Sequence, residues 1–229
     1  MRTLILPLVL SFATVARAET VQLIGWAKDG KYVALAMVGT GEGSGYPFAK
    51  LTIYDAKKGK AVGESTTVTL ENEGATENDA LEQAKEKATK LGQKLGVKEW
   101  VEGKSIAHDD KGELKGSDGA PIGTVEVKTK KAKKGAKPCD EPFQPLLVQM
   151  LLHSMGGDKP TKLLDEKKVP KERACVTECS LGSVYAFQKA AVFVLSCGVQ
   201  GFEGPGTTFY PVVVGKLAYG LDEDLPASP

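Results

Sequence analysis

Four cysteines, Cys139, Cys175, Cys179 and Cys197, are the residues of this chain best suited to covalent or metal chemistry. Thiolates bind zinc, but three residues separate Cys175 from Cys179 instead of the two of a zinc knuckle, and no histidine lies near them. Free thiols are a further alternative. An even cysteine count in an exported chain favours two disulfides, which is our prediction.

A histidine beside a serine, His153-Ser154, invites a nucleophilic interpretation. A G-x-S-x-G turn would expose such a serine, but this context is missing, and His108 is the only other histidine. A Ser/His/Asp site is therefore disfavoured. Glu203 is a single carboxylate without an evident acid or base partner.

Acidic residues cluster at His108-Asp109-Asp110 and at Ser117-Asp118-Gly119. Oxygen-rich loops bind calcium, but the final glutamate of the calcium-loop pattern is missing. Turn formation explains these acids better. The sequence thus indicates no catalytic, metal or cofactor-binding residues and no cofactor. It leaves an enzymatic role open and favours a non-catalytic one.

Lysines dominate the segment from Lys128 to Lys137. Such a run can bind anionic polymers such as lipopolysaccharide or nucleic acid. Without interleaved aromatic residues, however, it is more typical of a solvated linker, which we place at 128–142.

The N-terminus has the pattern of a secretory signal peptide over residues 1–18, with an early Arg2, an apolar run and cleavage after Ala18. A membrane anchor needs about 20 apolar residues, more than this run contains. Loss of Arg2 and Arg17 reduces the 30 basic residues to 28 against 29 acidic ones. This balance argues against a nucleic-acid partner. We expect a bacterial periplasmic or secreted protein that does not span the membrane after cleavage.

Turn residues and alternating apolar residues predict an antiparallel meander over 25–62, with Asp29-Gly30 as a tight hairpin turn. One amphipathic helix is predicted near residues 78–95, because Leu81, Ala84, Ala88, Leu91 and Leu95 form a single apolar stripe. The predicted fold class is mainly β, or α+β, with antiparallel meander sheets and this one packed helix.

The apolar stretch from Phe143 to Met155 fits a buried strand or a short helix, and we favour the strand. The predicted organisation is a signal peptide at 1–18, a β-rich part with one helix at 19–127, a lysine-rich linker at 128–142, a β-rich disulfide-bearing part at 143–221 and a tail at 222–229.

Three disulfide pairings are possible, and strand register favours one of them. If Ser183–Phe187 and Ala190–Cys197 form a hairpin that turns at Gln188-Lys189, Cys197 lies opposite Ser180. A one-residue bulge would bring Cys179 within bridging range of Cys197. Cys139 is then left to pair with Cys175.

Several motifs resemble those of a family of bacterial secreted proteins of unknown function. They are Trp26-Ala-Lys-Asp29-Gly30-Lys-Tyr32-Val-Ala, Gly43-Ser-Gly-Tyr46-Pro-Phe, Leu51-Thr-Ile-Tyr54-Asp55, Val169 to Cys175 with Tyr185, and Gly201 to Pro205. Glu42 stands where the family has aspartate, and Lys31 replaces arginine. The first hairpin also resembles a blade segment of TolB-like propellers, but the pattern does not recur. The resemblance implies an exported β-rich protein and supplies no active site.

The leading hypothesis is a non-catalytic binding or protein-interaction module of the cell envelope, whose partner is an unknown envelope protein or polymer. One alternative is a periplasmic hydrolase that uses carboxylates or a bound metal. Another is a structural component of the envelope.

Overall fold

The computed structural model describes residues 19–41, 43–132, 139, 142–155, 157, 159–170, 175–201, 204–217 and 221. The predicted signal peptide at 1–18, the tail at 222–229 and Glu203 lie outside these residues. Secondary structure in the described part comprises one helix, α1 (Glu77–Lys94), and fourteen strands: β1 (Thr20–Ala27), β2 (Tyr32–Thr40), β3 (Pro47–Asp55), β4 (Lys60–Ala61), β5 (Thr66–Thr69), β6 (Trp100–Val101), β7 (Lys104–His108), β8 (Glu113–Lys115), β9 (Pro121–Lys131), β10 (Leu146–Ser154), β11 (Thr161–Asp165), β12 (Val176–Phe187), β13 (Ala190–Gly201) and β14 (Gly204–Val214).

The first sheet is antiparallel and has the order β4-β3-β2-β1-β6, with β5 also paired to β3. Its first turn is tight because Gly30, at φ 68°, donates its N–H to the Ala27 carbonyl oxygen over 2.7 Å. This arrangement is the meander that the turn residues predict.

The helix α1 packs on one face of this sheet. Its buried residues Ala80, Leu81, Ala84 and Ala88 share a core with Ala34, Ala36 and Val38 of β2 and with residues of β3 and β5. The opposite face of β2 is also buried, through Val33 and Leu35. Both faces of β2 are therefore covered by protein, which explains why its residues are apolar on both sides.

The second sheet has the order β11-β10-β9-β8-β7-β12-β13-β14. It curls until its two end strands, β11 and β14, contact each other, so that the sheet is nearly closed. The enclosed core includes Met150, Phe193 and Leu195. The stretch around Leu146–Ser154 is a strand and not a helix, as the sequence favours.

The two sheets pack against each other through β13. Phe193 and Leu195 point into the second sheet's own core, whereas Val192 and Val194 contact the first sheet. Across this contact, the rings of Trp26 and Phe187 stack with centroids 5.8 Å apart. The prediction of a mainly β fold with one packed helix is confirmed.

The predicted linker at 128–142 is described at its two ends. Lys128 to Lys131 belong to β9 and pair with β10, while 133–138, 140 and 141 lie outside the described residues. Strands from both sides of this segment share the second sheet. The division of the chain at this segment stays a prediction.

Candidate functional site

A cleft of about 540 Å³ opens on the second sheet beside the turn between β7 and β8. The strand β8 has only 3 residues, whereas the neighbouring strands β9 and β12 have 11 and 12. The turn between β7 and β8 therefore ends before β9 and β12 do. The cleft is lined by Asp109, Asp110, Lys111, Gly112, Thr124, Val125, Glu126, Val127, His153, Cys179, Ser180 and Leu181.

Glu126 on β9 contacts two nitrogen groups at this cleft. Its Oε2 atom lies 2.9 Å from Lys128 Nζ and 3.3 Å from His153 Nε2. Leu151 is paired with Glu126, so His153, two residues further along β10, lies on the same face as Glu126. The hydrogen bond from Lys128, more than the one from His153, lowers the pKa of Glu126. Glu126 is thus an ionised carboxylate held between two nitrogen groups.

The turn between β7 and β8 supplies two more carboxylates. Asp109 Oδ1 accepts the backbone N–H groups of Lys111 and Glu113, both over 2.9 Å. The Glu113 hydrogen bond is the main reason that the pKa of Asp109 is lowered. Asp110 is exposed, and within the described part of the chain its carboxylate makes no hydrogen bond or ion pair.

His108 fastens this turn to β12. Its ring nitrogens lie 3.0 Å from the carbonyl oxygens of Asp109 and of Gly182. The second contact joins residues that are 74 positions apart. His108 therefore helps to hold the rim of the cleft in place.

Of the pair His153-Ser154, only His153 lines the cleft. Neighbouring residues of a strand point to opposite faces, which separates the two side chains. Asp118 Oδ1 accepts the Ala120 N–H over 2.9 Å, as turn residues commonly do. Among the described residues, no three His, Cys, Asp or Glu side chains are grouped so that they could hold a metal ion.

All four cysteines are disulfide-bonded, which confirms the prediction of disulfides. Cys139 is joined to Cys175, and Cys179 to Cys197, with Cα atoms 5.7 Å and 4.1 Å apart. On the hairpin β12–β13 a register shift between Leu181 and Ser183 places Cys179 opposite Cys197. Cys179 also lines the cleft, so this disulfide braces one of its walls.

The family motif around Gly43 to Pro47 lies elsewhere, against the start of α1. There Thr40 Oγ1 donates a hydrogen bond of 2.8 Å to Glu77 Oε1, which ties the end of β2 to the helix. Gly43 and Gly45 have φ values of 76° and 69°, which explains why glycine suits this loop.

The model of the family described as "Predicted secreted protein (DUF2259)" matches residues 34–215. The chain belongs to this family. The match begins within β2 and extends just past β14, so it includes α1, the cleft and the strands that build it. No curated protein and no solved structure matches the chain.

Membership in this family of predicted secreted proteins, together with the two disulfides, identifies an exported protein. Within the described residues, no helix has both the length and the apolar character needed to cross a membrane.

Sequence reasoning did not single out Glu126. Its partner His153 is 27 positions away, and no local motif links the two. The available signal is the alternation of Glu126 and Lys128 with Val125 and Val127, which places both charged groups on the outer face of one strand.

Proposed function

We propose that this member of the secreted family is a non-catalytic binding module of the cell envelope and that the cleft beside Glu126 is its binding site. Three carboxylates line the cleft, from Asp109, Asp110 and Glu126. They face two lysines, Lys111 of the lining and Lys128 beside Glu126, together with His153. The excess of negative charge favours a cationic group, such as an amine or guanidinium of an envelope protein or polymer.

The observation that carries the proposal is the contrast between the fixed and the unpaired carboxylates. Asp109 and Glu126 are held by hydrogen bonds, while the exposed Asp110 is unpartnered within the described part. Side chains that are already held in place lose less conformational entropy when a ligand binds, and the free carboxylate of Asp110 can form a new ion pair with the ligand. Both features support ligand binding.

Binding can be tested by NMR titration of the mature protein with a short Lys-Ala-Lys peptide and with Glu-Ala-Glu. We expect amide shifts at 109–112, 124–127 and 179–181 with the basic peptide alone. The double variant Asp110→Asn, Glu126→Gln should lose this response. The matched control Glu71→Gln, Glu73→Gln, which removes two exposed acids elsewhere, should keep it. Shifts outside the cleft, or equal losses in both variants, would contradict the proposal.

A carboxylate hydrolase is the second candidate. The pair of Glu126 and His153 at 3.3 Å, with Asp109 lining the same cleft, provides groups suited to acid–base chemistry. Turnover of chromogenic esters or glycosides that Glu126→Gln abolishes would favour this candidate over the binding module.

A further inference from the structure

The outer face of β9, β10 and β11 forms a second charged surface, next to the cleft. On β10, Leu146, Val148, Met150 and Leu152 point into the core, so Leu147 and Leu151 point outward. Both leucines are half-buried, and neither belongs to a hydrophobic core cluster of the described residues. We call the surface formed by Lys128, Lys130, Leu147, Leu151, Lys162 and Lys167 the lysine face.

Strand register places one lysine beside each of these leucines. Lys130 of β9 is paired with Leu147, and Lys162 of β11 is paired with Leu151. Lys128 lies on the same face as Lys130, because the two are two positions apart on one strand. Between the two leucines on this face lies Gln149, which is paired with Lys128, and the β9 partner of Leu151 is Glu126. The result is two outward leucines with lysines of β9 and β11 beside them.

The lysine face carries an excess of positive charge. Its four lysines meet two carboxylates: Glu126, 2.9 Å from Lys128, and Asp165, 3.0 Å from Lys162 and 2.8 Å from Lys167. Lys130 makes no ion pair within the described part of the chain. The three paired lysines remain 54%, 56% and 79% exposed, so their charges stay available to a partner.

We propose that the lysine face docks this exported protein on the surface of an anionic phospholipid bilayer. The lysines would contact lipid phosphates, and Leu147 and Leu151 would lie at the level of the headgroups. Charge complementarity favours a polyanionic partner. The two outward leucines favour a bilayer over a soluble polyanion, since a bilayer interface also accepts apolar side chains.

The proposal can be tested with the mature, oxidised protein and two vesicle preparations. One contains phosphatidylcholine alone, and the other contains phosphatidylcholine mixed with phosphatidylglycerol. We expect flotation with the anionic vesicles only, weakened by salt. The variant Lys130→Gln, Lys162→Gln, Lys167→Gln should lower partitioning by roughly fivefold per lysine, on the order of a hundredfold in all.

A matched control removes three exposed lysines outside the lysine face, at Lys90, Lys94 and Lys98 near the end of α1. This control has the same net charge as the lysine-face variant and should bind nearly as wild type. Leu151→Ser should weaken vesicle binding at low and high salt alike, because it removes apolar contact and no charge.

Three results would overturn the proposal. They are no flotation with anionic vesicles, equal losses in the two lysine variants, and full competition by soluble polyglutamate with no effect of Leu151→Ser. The last result would identify a soluble polyanion as the partner. The titration of the cleft with basic peptides is independent of these outcomes, because the lysine-face variant leaves Asp110 and Glu126 in place.

Discussion

Trp26 is fully buried where the two sheets meet, and its indole nitrogen has no hydrogen-bond partner among the described residues. Gly103 makes this burial possible. A Cβ atom at position 103 would lie 2.5 Å from Trp26 Nε1 and 2.9 Å from the Ala186 carbonyl oxygen. Trp26 can therefore pack this closely against position 103 only because glycine has no side chain.

Gly103→Ala should lower the free energy of unfolding by roughly 1–3 kcal/mol, because the added methyl group overpacks the Trp26 site. Urea unfolding followed by tryptophan fluorescence measures this change. The control is Gly157→Ala, where an added Cβ meets its nearest atom at an ordinary 3.5 Å. Equal stabilities of the two variants would contradict the expectation.

Asp165 links stability to pH at the edge of the second sheet. Hydrogen bonds from Lys167 and Lys162 lower the pKa of its carboxyl from 3.8 to about 2. A lowered pKa in the folded state stabilises the protein fully above pH 3.8, and this contribution is lost as the pH falls towards about 2.

Asp165→Asn should therefore reduce the steepness with which the free energy of unfolding falls between about pH 4 and pH 2. Urea titrations at a series of pH values in this range provide the measurement. Because its partners Lys162 and Lys167 are exposed, the effect should shrink at high salt. An unchanged pH slope would rule out this ion-pair cluster as a contributor.

At the scale of elements, α1 begins with a complete capping box. Thr76 Oγ1 accepts the Asp79 N–H over 3.2 Å, and Asp79 Oδ2 accepts the Thr76 N–H over 2.8 Å. The side-chain hydrogen bond from Thr76 is the main cause that lowers the pKa of Asp79. A threonine followed by an acid three residues later is the pattern of such a cap, because the two side chains satisfy two backbone donors.

Thr76→Ala should cost about 1 kcal/mol of unfolding free energy, since it removes the cap. Thr89→Ala, in the middle of the same helix, is the control and should be neutral or stabilising, because alanine is the better helix former. Thermal or urea unfolding compares the two variants. If Thr76→Ala had the same free energy of unfolding as the wild type, packing alone would define the start of the helix.

The hairpin β12–β13 is closed by the disulfide between Cys179 and Cys197. We expect no thiol to be alkylated in the unreduced mature protein. Cleavage after Glu178 separates Cys175 from Cys179 and should release peptides that join Cys139 to Cys175 and Cys179 to Cys197. Replacing Cys179 and Cys197 by alanine should cost about 2–4 kcal/mol. A peptide that links Cys139 to Cys197 would contradict this pairing.

At the scale of the whole molecule, the two sheets share an apolar interface and polar contacts. Tyr185 on β12 donates a hydrogen bond of 2.9 Å to the Val21 carbonyl oxygen on β1, 164 positions away. Val192 and Val194 are packed in the same cluster as Val33. Neither sheet would keep this apolar surface buried without the other.

We therefore expect one cooperative unfolding transition that includes both sheets. Hydrogen exchange should give similar opening free energies for the centres of β2 and β13. Tyr185→Phe should lower both by about 1 kcal/mol, since it removes one hydrogen bond. Two separate transitions would instead show that the two sheets unfold independently of each other.

Much of the fold could be predicted from neighbouring residues. The stripe from Leu81 to Leu95 identifies the helix, Asp29-Gly30 identifies the first hairpin, and the turn at Gln188-Lys189 brings Cys179 near Cys197. In each case the decisive interaction joins residues that are close along the chain, so local pattern carries the information.

Contacts between segments that are far apart along the chain could not be predicted from these local patterns. Three features join distant segments: the pairing of β7 with β12, the near closure of the second sheet and the contact of Glu126 with His153. A strand such as β13 is apolar on both faces, and its pattern does not say which sheet lies on which side.

The sequence by itself determined an exported, mainly β chain with one capped helix and two disulfides, because export signals, turns and apolar periods are local properties. Only the tertiary structure decided which strands share a sheet, where the cleft opens and which lysines stand beside Leu147 and Leu151. These outcomes depend on how whole sheets pack, and many strand orders would satisfy the same local patterns.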